Sequence, residues 1–384
     1  MTHIRNGRAT VVGAGIGGLT TALLLARLGM AVTLLERVAR PAEVGAGLLL
    51  QPNGRAVLAG LGLAEEVAGR GHRIARATVR DAAGATVFTV RTESLAVRRS
   101  HLLAVLLEAV EADPRIESRF GCEVFAARGD GAVDHAGGTT RGDLVVAADG
   151  ARSVLRAHGD FGGVVADTGT TYVRGLVDGA GLGLEGEYWT PLGLFGGAPL
   201  GDGTTYFYAS GHAPAVARAI ATGDLPAFRA EWAGALASSA DVLDRVPGFD
   251  TLLVNDVNRV DCGRWADGCV VLVGDAAHAM APTLGQGANS AMVDAAVLAV
   301  ELAGAGDVTD ALRRYTERRR PRVRGVQDAA DRLARMSALT SPLRRAVRDG
   351  ALRLIDRVPP LAERQARAAQ QEDPRTLGDA VASL

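Results

Sequence analysis

A run of apolar residues, Cys269-Val270-Val271-Leu272-Val273, stops at Gly274-Asp275-Ala276-Ala277-His278. It gives way, through Pro282 and Leu284-Gly285-Gln286-Gly287-Ala288-Asn289, to a stretch with Met292, Ala295, Ala296, Ala299 and Leu302 at helical spacing. Apolar run, glycine-rich loop and helix start, in that order, predict a buried strand that turns directly into a helix N-terminus. Such a junction leaves backbone N–H groups unpaired at the positive end of a helix dipole, which suits a phosphate or the electron-rich edge of a heterocycle. Asp275 adds a carboxylate that accepts hydrogen bonds from a hydroxyl.

The same junction occurs earlier in the chain. Ala9-Thr10-Val11-Val12 reads as a strand, Gly13-Ala14-Gly15-Ile16-Gly17-Gly18 as a turn, Leu19 to Leu28 as a helix ended by Gly29, and Ala31 to Leu35 as a second strand closed by Glu36. Gly13, Gly15 and Gly18 fill the GxGxxG positions, and Glu36 stands where a carboxylate meets an adenosine ribose; together they predict a bound dinucleotide. The same spacing at Gly181-Leu182-Gly183-Leu184-Glu185-Gly186 is followed by Tyr188, Trp189 and Pro191, so it reads as a loop. Two further strands, Glu123 to Ala127 and Asp143 to Ala148, are expected to return to the first sheet, the latter ending in Asp149-Gly150-Ala151-Arg152-Ser153. Asp149 can cap the helix that follows, with Arg152 and Arg156 as a solvated pair one turn apart.

Between these turns, Gly45, Ala46 and Gly47 would let backbone lie close to a flat ring, and Arg37 would meet a phosphate or stack on adenine. Asn53 reads as the cap of a helix ending near Gly60-Leu61-Gly62. Arg99 opens a helix over Leu102 to Ala112, against the dipole, which implies an anion nearby. Alternating runs from Arg76 to Val97 suggest a hairpin on a second sheet, and residues 165–262 are β-rich and aromatic. There, Leu192 to Leu200 and Thr204 to Ala209 form a hairpin with Tyr206 and Tyr208 on one face and Phe207 on the other. Helices from Leu225 to Ala237 and Ala240 to Val246 cover this sheet; Tyr206, Tyr208, Phe195 and Pro282 are candidate pocket residues, and His212 the nearest candidate base. Beyond Ala303 the Arg-rich helices read as solvated, and residues 365–384 as lacking an anchor.

Composition narrows the chemistry. The 384 residues contain no lysine, which excludes Schiff-base catalysis and a Gly-Lys-Ser/Thr phosphate loop. Three scattered cysteines lack metal-ligand spacing and suit a reducing interior, so no metal is expected. A net charge of -1 points to neither nucleic acid nor a membrane surface, and no run approaches the ~20 apolar residues of a span. With a strand starting almost at once and no signal sequence, a cytoplasmic location is expected.

Taken together, Gly13 to Gly18 with Glu36, Asp149 to Ser153, and Gly274 to Pro282 followed by Leu284 to Asn289 resemble the three motifs of the class A FAD-dependent aromatic hydroxylases. Within that family the chain is similar to the salicylate hydroxylase-like branch. The resemblance implies an α/β fold: a Rossmann-like FAD-binding domain at 1–75, 99–164 and 263–305, an interleaved substrate domain at 76–98 and 165–262, and C-terminal helices at 306–384. It implies bound FAD, contacted by Gly13, Gly15, Ile16, Gly18, Glu36, Arg37, Gly47, Arg99, Val124, Asp149, Asp275, Gly285, Gly287, Ala288 and Asn289. It further implies NADH or NADPH as transient donor, O2 as co-substrate and a monomer or homodimer that hydroxylates or epoxidises an electron-rich ring through a flavin C4a-hydroperoxide. The alternatives are a reductase or dehydrogenase without oxygen transfer, or a non-catalytic flavin-binding protein. Val293-Asp294-Ala295 departs from the Glu-Asp-Ala of many relatives. A purified preparation is expected to be yellow, with stoichiometric FAD by its visible spectrum; a colourless protein that fails to take up FAD overturns the resemblance.

Overall fold

The computed structural model describes residues 6–39, 46–180, 182–184, 186–358, 364 and 366–384. Gly45, Gly181, Glu185 and the first residue of the 365–384 segment, which figured in the expectations above, lie outside that set.

Val270–Leu272, Leu144–Ala147, Arg8–Val12, Ala31–Glu36 and Ile116–Phe120 run parallel in that spatial order, with Ala266–Asp267 antiparallel at one edge. A parallel sheet covered on both faces needs near-continuous aliphatic strands. Val11, Leu34, Val145, Val146, Val271 and Leu272 accordingly have no exposed surface. Parallel neighbours also need crossovers, and the chain uses them to build the rest of the molecule.

Those crossovers supply an eight-stranded sheet ordered Leu253–Cys262, Gly163–Asp178, Thr204–Ser210, Gly193–Pro199, Gly186–Thr190, His72–Asp81, Thr86–Arg98 and Gly47–Leu50. All neighbours are antiparallel except Gly186–Thr190 beside His72–Asp81. The early hairpin and the aromatic strands therefore fuse into one surface. Strand alternation divides it as expected: Phe207 packs with Phe228 and Trp232 beneath Leu225–Ala235, while Tyr206 and Tyr208 point the other way, their rings 5.5 Å apart. Helix Val308–Ser337 spans both sheets and is tied to the second by Arg259, which reaches Asp261 (2.7 Å), Asp328 (2.9 Å) and Asp331.

Several expectations need correction. Gly47–Leu50, assigned from sequence to the first unit, pairs with Leu95–Arg98 in the second sheet. Val124–Ala127 pairs with Ala132–His135 in a separate three-stranded sheet, because the place beside Ala31–Glu36 is taken by Ile116–Phe120. Asn53 is not a cap: helix Pro52–Leu61 starts after Gln51 and ends as expected at Gly62, left-handed with φ +81°. The tail is anchored, since helix Pro374–Ala382 buries Leu377 and Val381 against Pro52–Leu61. A Cβ on Gly60 would stand 2.6 Å from Val381 Cγ1, so that glycine allows the close approach. No helix among the described residues is long and apolar enough to cross a membrane. Leu377→Ala is expected to cost about 2–5 kcal/mol in urea unfolding, as for a buried core leucine; a change near zero would mean the tail helix does not pack as described.

Candidate active site

Three motifs leave the carboxyl ends of three adjacent parallel strands. Val12 is in register with Ala147, and Ala147 with Leu272, so the turns at 13–18, 149–153 and 274–278 emerge side by side. That rim is where open α/β sheets bind ligands. The loop at 285–288 joins them, because helices Ile16–Arg27 and Gly287–Gly304 touch near their starts: a Cβ on Gly17 would lie 3.1 Å from Ala291 Cβ.

The glycines divide into two kinds. Gly13 has φ +103° and its Cβ would sit 2.4 Å from the Ala148 carbonyl oxygen; a Cβ on Gly18 would sit 1.8 Å from that of Gly13. The chain itself requires both. Gly15 has φ −76°, ordinary for any residue, and nothing lies within 4 Å of its missing Cβ. Gly287 meets nothing nearer than Asp275 Oδ1, at 4.0 Å. Packing within the chain thus explains neither, and both helices start without a side-chain cap, leaving N–H groups to donate outward. Asp149 accepts from Val154 N (2.8 Å) and Leu155 N (3.2 Å) through Oδ2, yet its buried Oδ1 has no partner, and burial raises its pKa. Open glycine cradles, uncapped helix starts and an orphaned carboxylate oxygen fit FAD, whose phosphates and pyrimidine edge accept and whose hydroxyls donate.

Across from this rim, the eight-stranded sheet presents Tyr172, Trp189 and Tyr208, which pack in one cluster with Ala281 and Leu284 of the loop. Glu187 lies among them. Tyr208 Oη donates to Glu187 Oε1 (3.0 Å) and Trp189 Nε1 to Oε2 (3.3 Å). Burial pushes the Glu187 carboxyl up to about 7, outweighing those two bonds, and raises Tyr208 well above the usual range. A buried acid poised near neutrality is suited to moving a proton.

Residues 8–179 and 220–330 match the family described as an FAD binding domain. The chain is 36% identical over 361 residues to the 3-amino-4-hydroxybenzoate 2-monooxygenase PtmB3 of Streptomyces platensis, covering 85% of this chain and 88% of that protein. It is 32% identical over 323 residues to the Aurachin C monooxygenase/isomerase of Stigmatella aurantiaca, with coverages of 79% and 83%. Among solved structures, 2-methyl-3-hydroxypyridine-5-carboxylic acid oxygenase superposes with a TM-score of 0.79 at 26% identity, over 88% of this chain and 94% of that one. The chain belongs to the class A FAD-dependent aromatic hydroxylases. It is an FAD-dependent monooxygenase acting on aromatic substrates, with NAD(P)H as the donor typical of its family.

In this hydroxylase several residues expected at the cofactor or the pocket also contact the chain itself. A flat ring does lie on Gly47, but it belongs to Tyr206, whose Cγ is 2.4 Å from where a Cβ would stand. Asn289 spends its side chain within the protein, accepting from Gln51 N (2.9 Å) and donating to Leu49 O and Gly285 O (both 2.8 Å). Phe195 stacks on Phe207 and packs at a tilt against Trp232 on the face of the sheet opposite Tyr208, because its register partner is Ala209 rather than Tyr208. Ile16 is buried in the core, as is Val124, which leaves their side chains turned from the rim. Glu36 grips the glycine turn itself, accepting from Ala14 N (2.7 Å) and Val38 N (3.0 Å). Arg37 and Arg99 stand exposed, with no ion pair to a described residue. His212 makes no side-chain hydrogen bond to a described residue, and partial burial lowers its pKa. Gly285 is left-handed (φ +61°) and closes the turn begun at Pro282.

Two arginines expected in solvent are buried instead. Arg156 donates to Ala276 O (2.8 Å) and Ala151 O (2.7 Å), joining two motifs. Arg319 has no exposed surface and donates through Nε to Asp294 Oδ1 (2.7 Å). Asp294 also receives Gly274 N (3.0 Å) and His278 Nε2 (2.5 Å). Burial works against its charge, but His278 and Arg319 hold its pKa below the usual range. Arg319 Nη2 continues to Gln371 Oε1 (2.6 Å), and Gln371 Nε2 to Ser290 Oγ (2.6 Å) and Gln286 Oε1 (3.3 Å). Ser290 and Asp294, four residues apart on helix Gly287–Gly304, share the face that this network uses.

The two kinds of glycine predict opposite outcomes. Gly18→Ala should cost about 3 kcal/mol by denaturant unfolding because the carbonyl of Gly13 cannot move away. Gly15→Ala should leave the apoprotein as stable or slightly more so. In FAD titration by fluorescence quenching, however, Gly15→Ala should weaken binding about tenfold or more, the effect of about 1.4 kcal/mol.

Proposed function

We propose that the enzyme hydroxylates an aromatic ring that itself carries a hydroxyl or ring N–H, and that Glu187 takes the proton of that group through Tyr208. The observation that carries this reading is the Tyr208–Glu187 hydrogen bond of 3.0 Å, with the acid raised to about 7, on the sheet face packed against the 281–284 loop. Relatives named for 3-amino-4-hydroxybenzoate and 3-hydroxybenzoate act on rings with such a group.

Tyr208 directs its hydroxyl hydrogen at Glu187, which leaves its oxygen lone pairs to accept from the substrate. As the substrate O–H or N–H passes its proton to Tyr208, Tyr208 passes its own to Glu187. The substrate keeps the electron pair of the broken bond and its ring becomes more nucleophilic. No tyrosinate forms, in keeping with the high Tyr208 pKa, and the neutral Glu187 that results suits its burial. Trp189 fixes the second carboxylate oxygen, while Arg174, over the Tyr172 ring at 5.5 Å, supplies positive charge for an acidic substituent or the ionised ring.

For the cofactor, the start of helix Ile16–Arg27 at Gly15 would receive the pyrophosphate, with Arg37 and Arg99 as counter-charges. Glu36 and Asp149 would accept from ribose hydroxyls and Asp275 from the ribityl chain, while Gly287 and Ala288 N–H would face the pyrimidine edge. Asn289 and Gly47 serve as positioning residues, through Gln51 and Tyr206 respectively. FAD, when bound, supplies reduction by NAD(P)H and activation of O2. In this reading the cofactor region is 1–75, 99–164 and 263–305 without residues 47–50, 72–75 and 163–164, whose strands belong to the substrate-side sheet.

The test is NAD(P)H oxidation with product detection across hydroxylated and N-heteroaromatic rings, then Glu187→Gln on the best substrate. Wild-type kcat/KM should rise with pH through about 7, since the ionised carboxylate is the base. Glu187→Gln should lose that limb and about 10²–10⁴-fold in kcat, with the FAD spectrum unchanged. A variant that keeps both the rate and the limb would remove Glu187 from the reaction.

A further inference from the structure

Helix Pro342–Asp356 is built inside out. Its inner face is polar: Arg348 pairs with Asp349 (2.7 Å), donates to Met336 O (2.8 Å) and lies over the Trp189 ring at 4.9 Å, while Asp356 Oδ1 accepts from Thr89 N (2.8 Å). Its outer face is apolar. Leu343, Val347 and Leu354, spaced four and then seven residues apart, are 74%, 66% and 64% exposed, and Val358 continues the stripe at 49%. Gly350 and Ala351, exposed between them, leave it unbroken. Side chains at i, i+4 and i+11 share one helix face.

The exposed charges of the helix itself and its C-cap are of a single sign. Arg344 borders the stripe on one side and Arg357 on the other, both exposed and without an ion pair to a described residue; Arg353, on the side of Arg357, reaches Asp81 (2.7 Å). Both carboxylates of the helix, Asp349 and Asp356, are engaged on the inner side. A contiguous exposed apolar stripe marks an interaction surface. A second copy suits it poorly, since a twofold contact would set these arginines against their own images. An anionic lipid surface matches both features, apolar side chains entering the acyl boundary and arginines meeting headgroups. We propose that this helix seats the enzyme on an anionic membrane. Net charge, near zero over the whole chain, averages this local asymmetry away. Because Arg348 on the inner face lies on Trp189, beside Glu187, the membrane contact and the pocket wall share one helix.

The test is flotation of the full-length holoenzyme with vesicles of phosphatidylglycerol and phosphatidylcholine, and with phosphatidylcholine alone. The wild type should float with the anionic vesicles at low salt and remain below with the neutral ones. Leu343→Gln/Val347→Gln/Leu354→Gln should lower partition about tenfold or more, and Arg344→Gln/Arg357→Gln about fivefold for each charge removed. The flavin spectrum reports folding, and the arginine pair keeps the test open should the triple variant lose it. Failure of the wild type to float, or equal flotation of the folded variants, overturns the proposal. So does light scattering that shows a wild-type dimer made monomeric by the triple variant, which would assign the stripe to a second copy.

Discussion

Asp294 has no exposed surface, and its oxygens receive Gly274 N, His278 Nε2 and Arg319 Nε. Those three donors come from the 274–278 motif and from the long helix behind it, so one carboxylate fixes the motif on the helix that carries Asp294 itself. A buried charge is costly unless paired and hydrogen-bonded, and removing one partner leaves the others uncompensated. The arrangement specifies position more than it contributes stability. The trajectory from Val273 into the loop at 285–288 depends on it, and with it the direction of that loop's N–H groups.

Position matters equally on the opposite wall. The second sheet is assembled from strands supplied by two crossovers, residues 47–98 and 163–262, and within it the ring of Tyr206 lies on Gly47. Two residues further along the same strand, Tyr208 reaches Glu187. Strand alternation therefore couples the packing of Tyr206 on Gly47 to the placement of Tyr208 at Glu187: a register slip of one residue would turn both tyrosines into the core occupied by Phe195, Phe207 and Trp232.

What the sequence made legible was local. Strand, turn and helix at residues 9–36 follow from apolar periodicity and glycine spacing, and the face assignment of Tyr206, Phe207 and Tyr208 follows from a period of two. Glu187 was missed although it alternates with Trp189 on the pocket face, because Gly186-Glu187-Tyr188-Trp189 reads equally as a loop end. The network of Arg319, Asp294 and Gln371 was illegible for a deeper reason. An arginine in a charged run looks solvated until a carboxylate distant in sequence is placed against it, and charge pattern carries no long-range pairing. The strand at 124–127 was assigned to the wrong sheet for the same reason: four apolar residues do not name their neighbour.

Gln371 stands in the left-handed region with φ +66°, unusual for a residue with a Cβ, and is held there by Arg319 and Ser290. Ser290 precedes it by 81 residues. On the ribosome, the parallel strands and the helix bearing Ser290 and Asp294 are therefore synthesised well before the segment that completes their hydrogen bonding. Until it arrives, Arg319 lacks its outer acceptor and the loop at 285–288 lacks its brace through Gln286. The bracing of the 285–288 loop through Gln286 thus comes from a segment synthesised after the helix that it braces.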